Sequence, residues 1–123
     1  MLSDQEPDDL RRRNEIISAT ESELRLLVNG RTQIAAWSAV TGVSAGRAKL
    51  DRISDIWIFV LAIEIELEDR EHLFMVGETE PAWLSLTTIL HAALPVIAPF
   101  EAWGPSLMTA SAPLELYARP GHE

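Results

Sequence analysis

Ile56-Trp57-Ile58-Phe59-Val60-Leu61-Ala62-Ile63-Glu64-Ile65-Glu66-Leu67-Glu68 is the stretch on which the fold turns. Ile63, Ile65 and Leu67 alternate with Glu64, Glu66 and Glu68, so an extended chain puts three apolar side chains on one face and three carboxylates on the other. The first half, Ile56 to Leu61, has no polar face; it is expected to be covered on both sides, with the glutamate half open to water on one. Lys49 to Asp55 precedes it as a charged connector. Asp69-Arg70-Glu71-His72 turns the chain, and Leu73-Phe74-Met75-Val76 returns as the neighbouring strand.

Upstream, Leu24, Leu26, Leu27 and Val28 make a strand-length run, and Asn29-Gly30 supplies the two positive-φ residues of a tight hairpin. The returning segment, Arg31 to Ala48, carries Ile34, Trp37, Val40 and Val43, with Gly42 and Gly46 interrupting. It reads as one long strand with a bulge near Trp37-Ser38, or as two strands meeting at a bend. Residues 1–19, acidic at the start and followed by Arg11-Arg12-Arg13, bury too little apolar surface to offset their ordering entropy and read as a loose charged arm or a short marginal helix.

Downstream, Gly77-Glu78-Thr79-Glu80-Pro81 is a helix start, with Thr79 or Glu80 at the cap and Pro81 in the first turn. Trp83, Leu86, Leu90 and Leu94 recur at helical spacing and should lie across the sheet until Pro95 stops them. The prolines that follow preclude another long helix. Phe100 to Trp103 is expected as a short turn, Leu114 to Tyr117 as a last strand and residues 120–123 as a tail. The fold class is therefore α+β: a curved antiparallel sheet packed against or capped by one amphipathic helix near the C-terminus, forming one domain over residues 20–119.

At 123 residues the chain is long enough for one core without staples, and it has no cysteine, which excludes disulfides, thiol nucleophiles and cysteine-held metals. A net charge of −9 removes the long-range attraction to phosphate on which nucleic-acid binding relies. The single lysine, Lys49, leaves no polybasic segment for an anionic membrane. No apolar signal core follows the triple arginine, and the longest apolar run, Ile56 to Ile63, is under half a membrane span, so a cytoplasmic protein is expected.

Chemistry-bearing motifs are scarce. Glu64, Glu66 and Glu68 stand roughly 7 Å apart along a strand, too far for neighbours alone to hold one metal ion. His72 sits in an acidic turn without ligand spacing, His91 lacks a partner four residues away on its helix, and His122 lies in the tail. Ser44 has no nucleophile elbow around it, and Gly42, Gly46, Arg47 and Lys49 do not form a phosphate loop. No catalytic, metal or cofactor site is assigned. Of the four tryptophans, Trp57 and Trp83 are expected in the core, while Trp37 and Trp103, the latter beside Phe100 in a proline-rich segment, would mark an interaction surface if exposed.

Ile34 to Val43, Asp55 to Leu67, the Glu80-Pro81-Ala82-Trp83 helix entry and Leu116-Tyr117-Ala118-Arg119 together resemble a group of small bacterial proteins of pleckstrin-homology-like architecture. The resemblance spans roughly residues 22–119. It implies a curved antiparallel sheet closed or capped by a helix, and no established activity. Eukaryotic lipid-binding members carry a basic cluster on an early hairpin loop; Val28-Asn29-Gly30-Arg31 offers one cation, which argues against phosphoinositide binding.

The function expected is a non-enzymatic protein-interaction module. It would use the acidic face of Glu64, Glu66 and Glu68, or the proline- and tryptophan-rich C-terminal segment with Phe100 and Trp103, with Trp37 as a further candidate contact, to meet a basic protein or a second copy of itself. One version is an immunity or inhibitor protein against a basic toxin. The alternatives are a small-molecule or enzymatic site in a cleft between helix and sheet, or a lipid-surface module.

Overall fold

In the computed structural model, which describes residues 14–50, 52–53 and 55–120, Asn29 and Gly30 have φ of 53° and 82°. Both lie in the left-handed region that a two-residue type I′ hairpin requires. They join β2 (Leu24–Val28) to β3 (Arg31–Ala35), and β2 pairs on its other side with β1 (Asn14–Ala19). Residues 14–19 are thus a sheet strand and not the end of a loose arm or of a marginal helix. Ile16 is buried in the core, and the ladder to β2, interrupted by a bulge between Ile16 and Ser18, supplies the hydrogen bonds that the residues' own apolar content would not secure. Residues 1–13 lie outside the described residues.

The segment from Arg31 to Ala48 resolves as two strands meeting at a bend. A single 3₁₀ turn, Trp37–Ala39, carries the chain from the three-stranded sheet into β4 (Val40–Lys49). The second sheet has the order β6-β5-β4-β7, with β5 (Trp57–Leu67), β6 (Arg70–Gly77) and β7 (Leu114–Ala118), all antiparallel. The two sheets are separate and do not close. β7 is short, stands at the sheet edge, carries Glu115 and is bracketed by Pro113 and Pro120.

The turn between β5 and β6 is tighter than its sequence indicates. Glu68 and Asp69 form it, with φ of 54° and 65°, and β6 already begins at Arg70. A side chain in the left-handed region is disfavoured, and only Gly or Asn adopts it readily. Glu68→Asn combined with Asp69→Gly should therefore stabilise the chain by about 1 kcal/mol, seen as a melting temperature a few degrees higher. An unchanged or lower melting temperature would mean that contacts of the native Glu68 and Asp69 already compensate the strain.

Helix α1 (Ala82–Ala93) buries Ala82, Leu86 and Leu90 and ends at Leu94, just before Pro95. Its start differs from expectation: Pro81 occupies the N-cap position and no side chain caps the helix. The nearby carboxylates are spent on the sheet instead. Glu78 Oε1 accepts from the Phe59 amide at 2.8 Å, and Glu80 Oε2 from the Gly77 amide at 3.0 Å. A second helix, α2 (Phe100–Leu107), forms where only a short turn was expected, with Pro105 inside it. Burial of Trp103, Gly104 and Leu107 holds that helix despite the donor that Pro105 lacks.

Both helices send their buried side chains into the core that also receives Leu24, Leu26, Val43, Leu61, Ile63, Phe74 and Val76. The protein is α+β, with antiparallel sheets and a helix near the C-terminus. Among the described residues, no helix is long and apolar enough to cross a membrane.

Candidate functional site

The alternation of β5 determines what each face of the four-stranded sheet presents. Leu61, Ile63 and Ile65 are fully buried, as are Phe74 and Val76 beside them and Val43 and Ala45 on β4. Their neighbours in sequence therefore form the opposite face. Ser44, Ala62 and Met75 make one row across β4, β5 and β6; Gly42, Glu64 and Leu73 make the next; Gly46, Val60 and Gly77 lie on the other side. With both helices packed into the core, this outer face is open. Leu73 and Met75 are each about half exposed, at 51% and 52%. The first half of β5 is accordingly covered on one side only, which corrects the expectation of two-sided cover; Ile56 is 56% exposed.

Along β4 the outer positions are Gly42, Ser44, Gly46 and Ala48, a row of small residues that forms the floor of a shallow trough. Pro113 stands over Gly46, its ring carbons 3.7–3.8 Å from where a Cβ would be. One recess of about 150 Å³ lies among Gly46, Val60, Ala62, Met75 and Pro113. A second, of about 300 Å³, continues it past Ser44 and Gly42 between Glu64 and Glu115. The carboxylate of Glu64 leans over Gly42, where an added Cβ would lie 2.8 Å from its Oε1.

The three glutamates of β5 separate into three environments. Glu64 borders the trough. Glu66 is held by Arg119, whose guanidinium donates at 2.9 Å to Glu66 Oε1 and at 3.2 Å to the Ser38 carbonyl. At this half-exposed site the pair contributes no more than about 1 kcal/mol. Glu68 leaves the row altogether, since its positive φ turns it into the β5–β6 turn.

The aromatic candidates are structural. Trp37 is 6% exposed and donates from Nε1 to the Thr20 carbonyl at 2.6 Å, pinning the 3₁₀ turn to the end of β1. Trp103, also 6% exposed, donates to the Ala98 carbonyl. Phe100 is half-buried and packs edge-on against Phe59, Trp83 and Trp103, with its ring against Gly104. None of the three offers the exposed surface that an interaction role would need. Trp57 departs in the other direction. Expected in the core, it is 53% exposed at the start of β5, beside the cationic ends of Arg47 and Lys49 at about 6 Å.

His91 donates from Nδ1 to the Ile97 carbonyl at 2.6 Å, and His72 Nδ1 lies 3.2 Å from the Arg70 carbonyl. The layer between α1 and the strands is filled by Leu86, Leu90 and Phe74, each at most 1% exposed, so the cleft considered there is occupied by core. Comparison with protein families, curated proteins and solved structures gives no significant match.

The residues overlooked in the sequence are those of the trough floor. Their period-2 spacing, Gly42, Ser44, Gly46 and Ala48, was the available signal, but glycines in a strand also read as a bend.

Proposed function

We propose that this chain is a non-catalytic protein-interaction module whose contact surface is the outer face of the β6-β5-β4-β7 sheet. One observation carries the reading: an uncovered sheet face with half-exposed Leu73 and Met75 on its edge strand β6. Contiguous exposed apolar surface of this kind marks association sites. Glu64, Glu115 and Glu71 share that face or its rim, and the net charge is −9, so the complementary partner is a basic protein.

The test is capture by the tagged full-length chain at low salt, compared with capture by a Leu73→Lys, Met75→Lys variant. Both positions are exposed, so the variant should keep the native melting temperature within a few degrees. The expected result is a stoichiometric basic partner that the variant loses at least tenfold. Equal capture by both chains, or no stoichiometric partner with either, would overturn the reading.

A further inference from the structure

The trough over β4 has a shape and a charge pattern that specify its occupant more closely. We propose that it binds an extended segment of the basic partner, with a Lys or Arg side chain seated between Glu64 and Glu115 and an apolar side chain four residues along, in the recess beside Pro113. The proposal rests on the reading of the outer sheet face as a protein-contact surface.

Three observations support it. First, the floor is made of small residues, which leaves the trough open between the Glu64 carboxylate over Gly42 and the Pro113 ring over Gly46. The walls are Pro113 and Glu115 on one side and Val60, Ala62 and Glu64 on the other. Second, the carboxylates lining the trough differ from the others nearby. Glu66 is paired with Arg119, and Glu78 and Glu80 accept backbone amides. Among the described residues, Glu64 and Glu115 have no ion pair. Third, they flank β4 from opposite strands: Glu64 is paired with Gly42 and Glu115 with Ser44. Two strand spacings across and two residues along separate their backbones, roughly 12 Å, a gap that one ammonium or guanidinium can bridge between inclined side chains.

The register follows from the floor. Gly42 and Gly46 are four residues apart, about 13 Å on an extended chain, and a ligand lying along β4 presents a side chain to the sheet at every second residue. A cation over Gly42 therefore places the residue two along over Ser44 and Ala62, where space is small, and the residue four along over Gly46 and Val60. The hydrogen-bonding groups of β4 are engaged by β5 on one side and β7 on the other. Recognition must come from side chains.

The experiment uses the isotope-labelled full-length chain and the blocked peptide acetyl-Arg-Thr-Ala-Thr-Val-amide, titrated to millimolar concentration at low salt and followed by amide chemical shifts. Shifts are expected at Gly42, Ser44 and Gly46. Affinity should fall at least fivefold in a Glu64→Gln, Glu115→Gln variant and remain unchanged in Glu68→Gln, and a peptide with Glu in place of Arg should cause no shift. Absence of shifts, shifts centred on the Glu68–Glu71 turn, or indifference to the Glu64 and Glu115 changes would each overturn the proposal. If this peptide does not enter the trough while partner capture still depends on Leu73 and Met75, the interaction surface stands and the segment assignment falls. If capture is also lost as a criterion, because it is absent or indifferent to those residues, both fall.

Discussion

Ile63→Asp is expected to unfold the chain, and Ala62→Asp, one residue earlier, to leave it folded within about 1 kcal/mol. The contrast comes from the two faces of β5. Ile63 is fully buried between Val43 and Phe74, its cross-strand neighbours. A carboxylate there has no cation to meet and loses its hydration. The penalty for an unpaired buried charge, added to the lost apolar contacts, exceeds about 4 kcal/mol, a large part of the roughly 5–15 kcal/mol that holds a domain folded. Ala62 points to the open face, where water solvates an added carboxylate. Urea denaturation of both variants measures the difference. Similar losses at the two positions would mean that the outer face is covered as well and would remove the basis for the outer contact surface.

Trp37→Ala should cost about 3–5 kcal/mol, because it empties a buried aromatic site at the crossing between the sheets. Trp37→Phe retains most of the apolar contact and loses the bond to the Thr20 carbonyl, for which about 1 kcal/mol is the expected cost. The two sheets are joined in sequence only through this turn, so the indole also fixes how β3 leads into β4. Chemical denaturation again decides. A Trp37→Ala chain of undiminished stability would return Trp37 to the surface role that its sequence context first indicated.

What was legible in the sequence followed from strong local rules. Asn29-Gly30 announced a hairpin because two consecutive left-handed residues are rare elsewhere, and the Ile-Glu alternation of β5 fixed its faces. The stripe from Leu86 to Leu94 located α1, with Pro95 marking its end. Missed elements were those stabilised by distant partners. β1 has only Ile16 and Ile17 as large apolar residues and becomes a strand through its ladder to β2. Helix α2 survives its proline because Trp103 and Leu107 are anchored in the core. The tryptophans show the same limit, since Trp103 lies on the buried side of α2 and Trp57 stands exposed at the start of β5, and nothing in the local pattern distinguishes them. The trough could not be read locally either: its floor is on β4, but one wall is β7, whose partner on β4 lies more than half the chain away.

The outer strand of that wall also bears on how the protein avoids unwanted assembly. An open sheet edge is a template for another chain to pair with, and long apolar edges lead to aggregation. β7 is five residues long, begins after Pro113, ends before Pro120 and carries a glutamate near its middle. Prolines at either end interrupt the row of backbone donors that an added strand would need, and the charge would have to be desolvated to extend the sheet. At the β7 edge the chain therefore keeps an apolar face exposed without inviting polymerisation, because contacts to the face end with the partner's side chains and do not propagate from copy to copy.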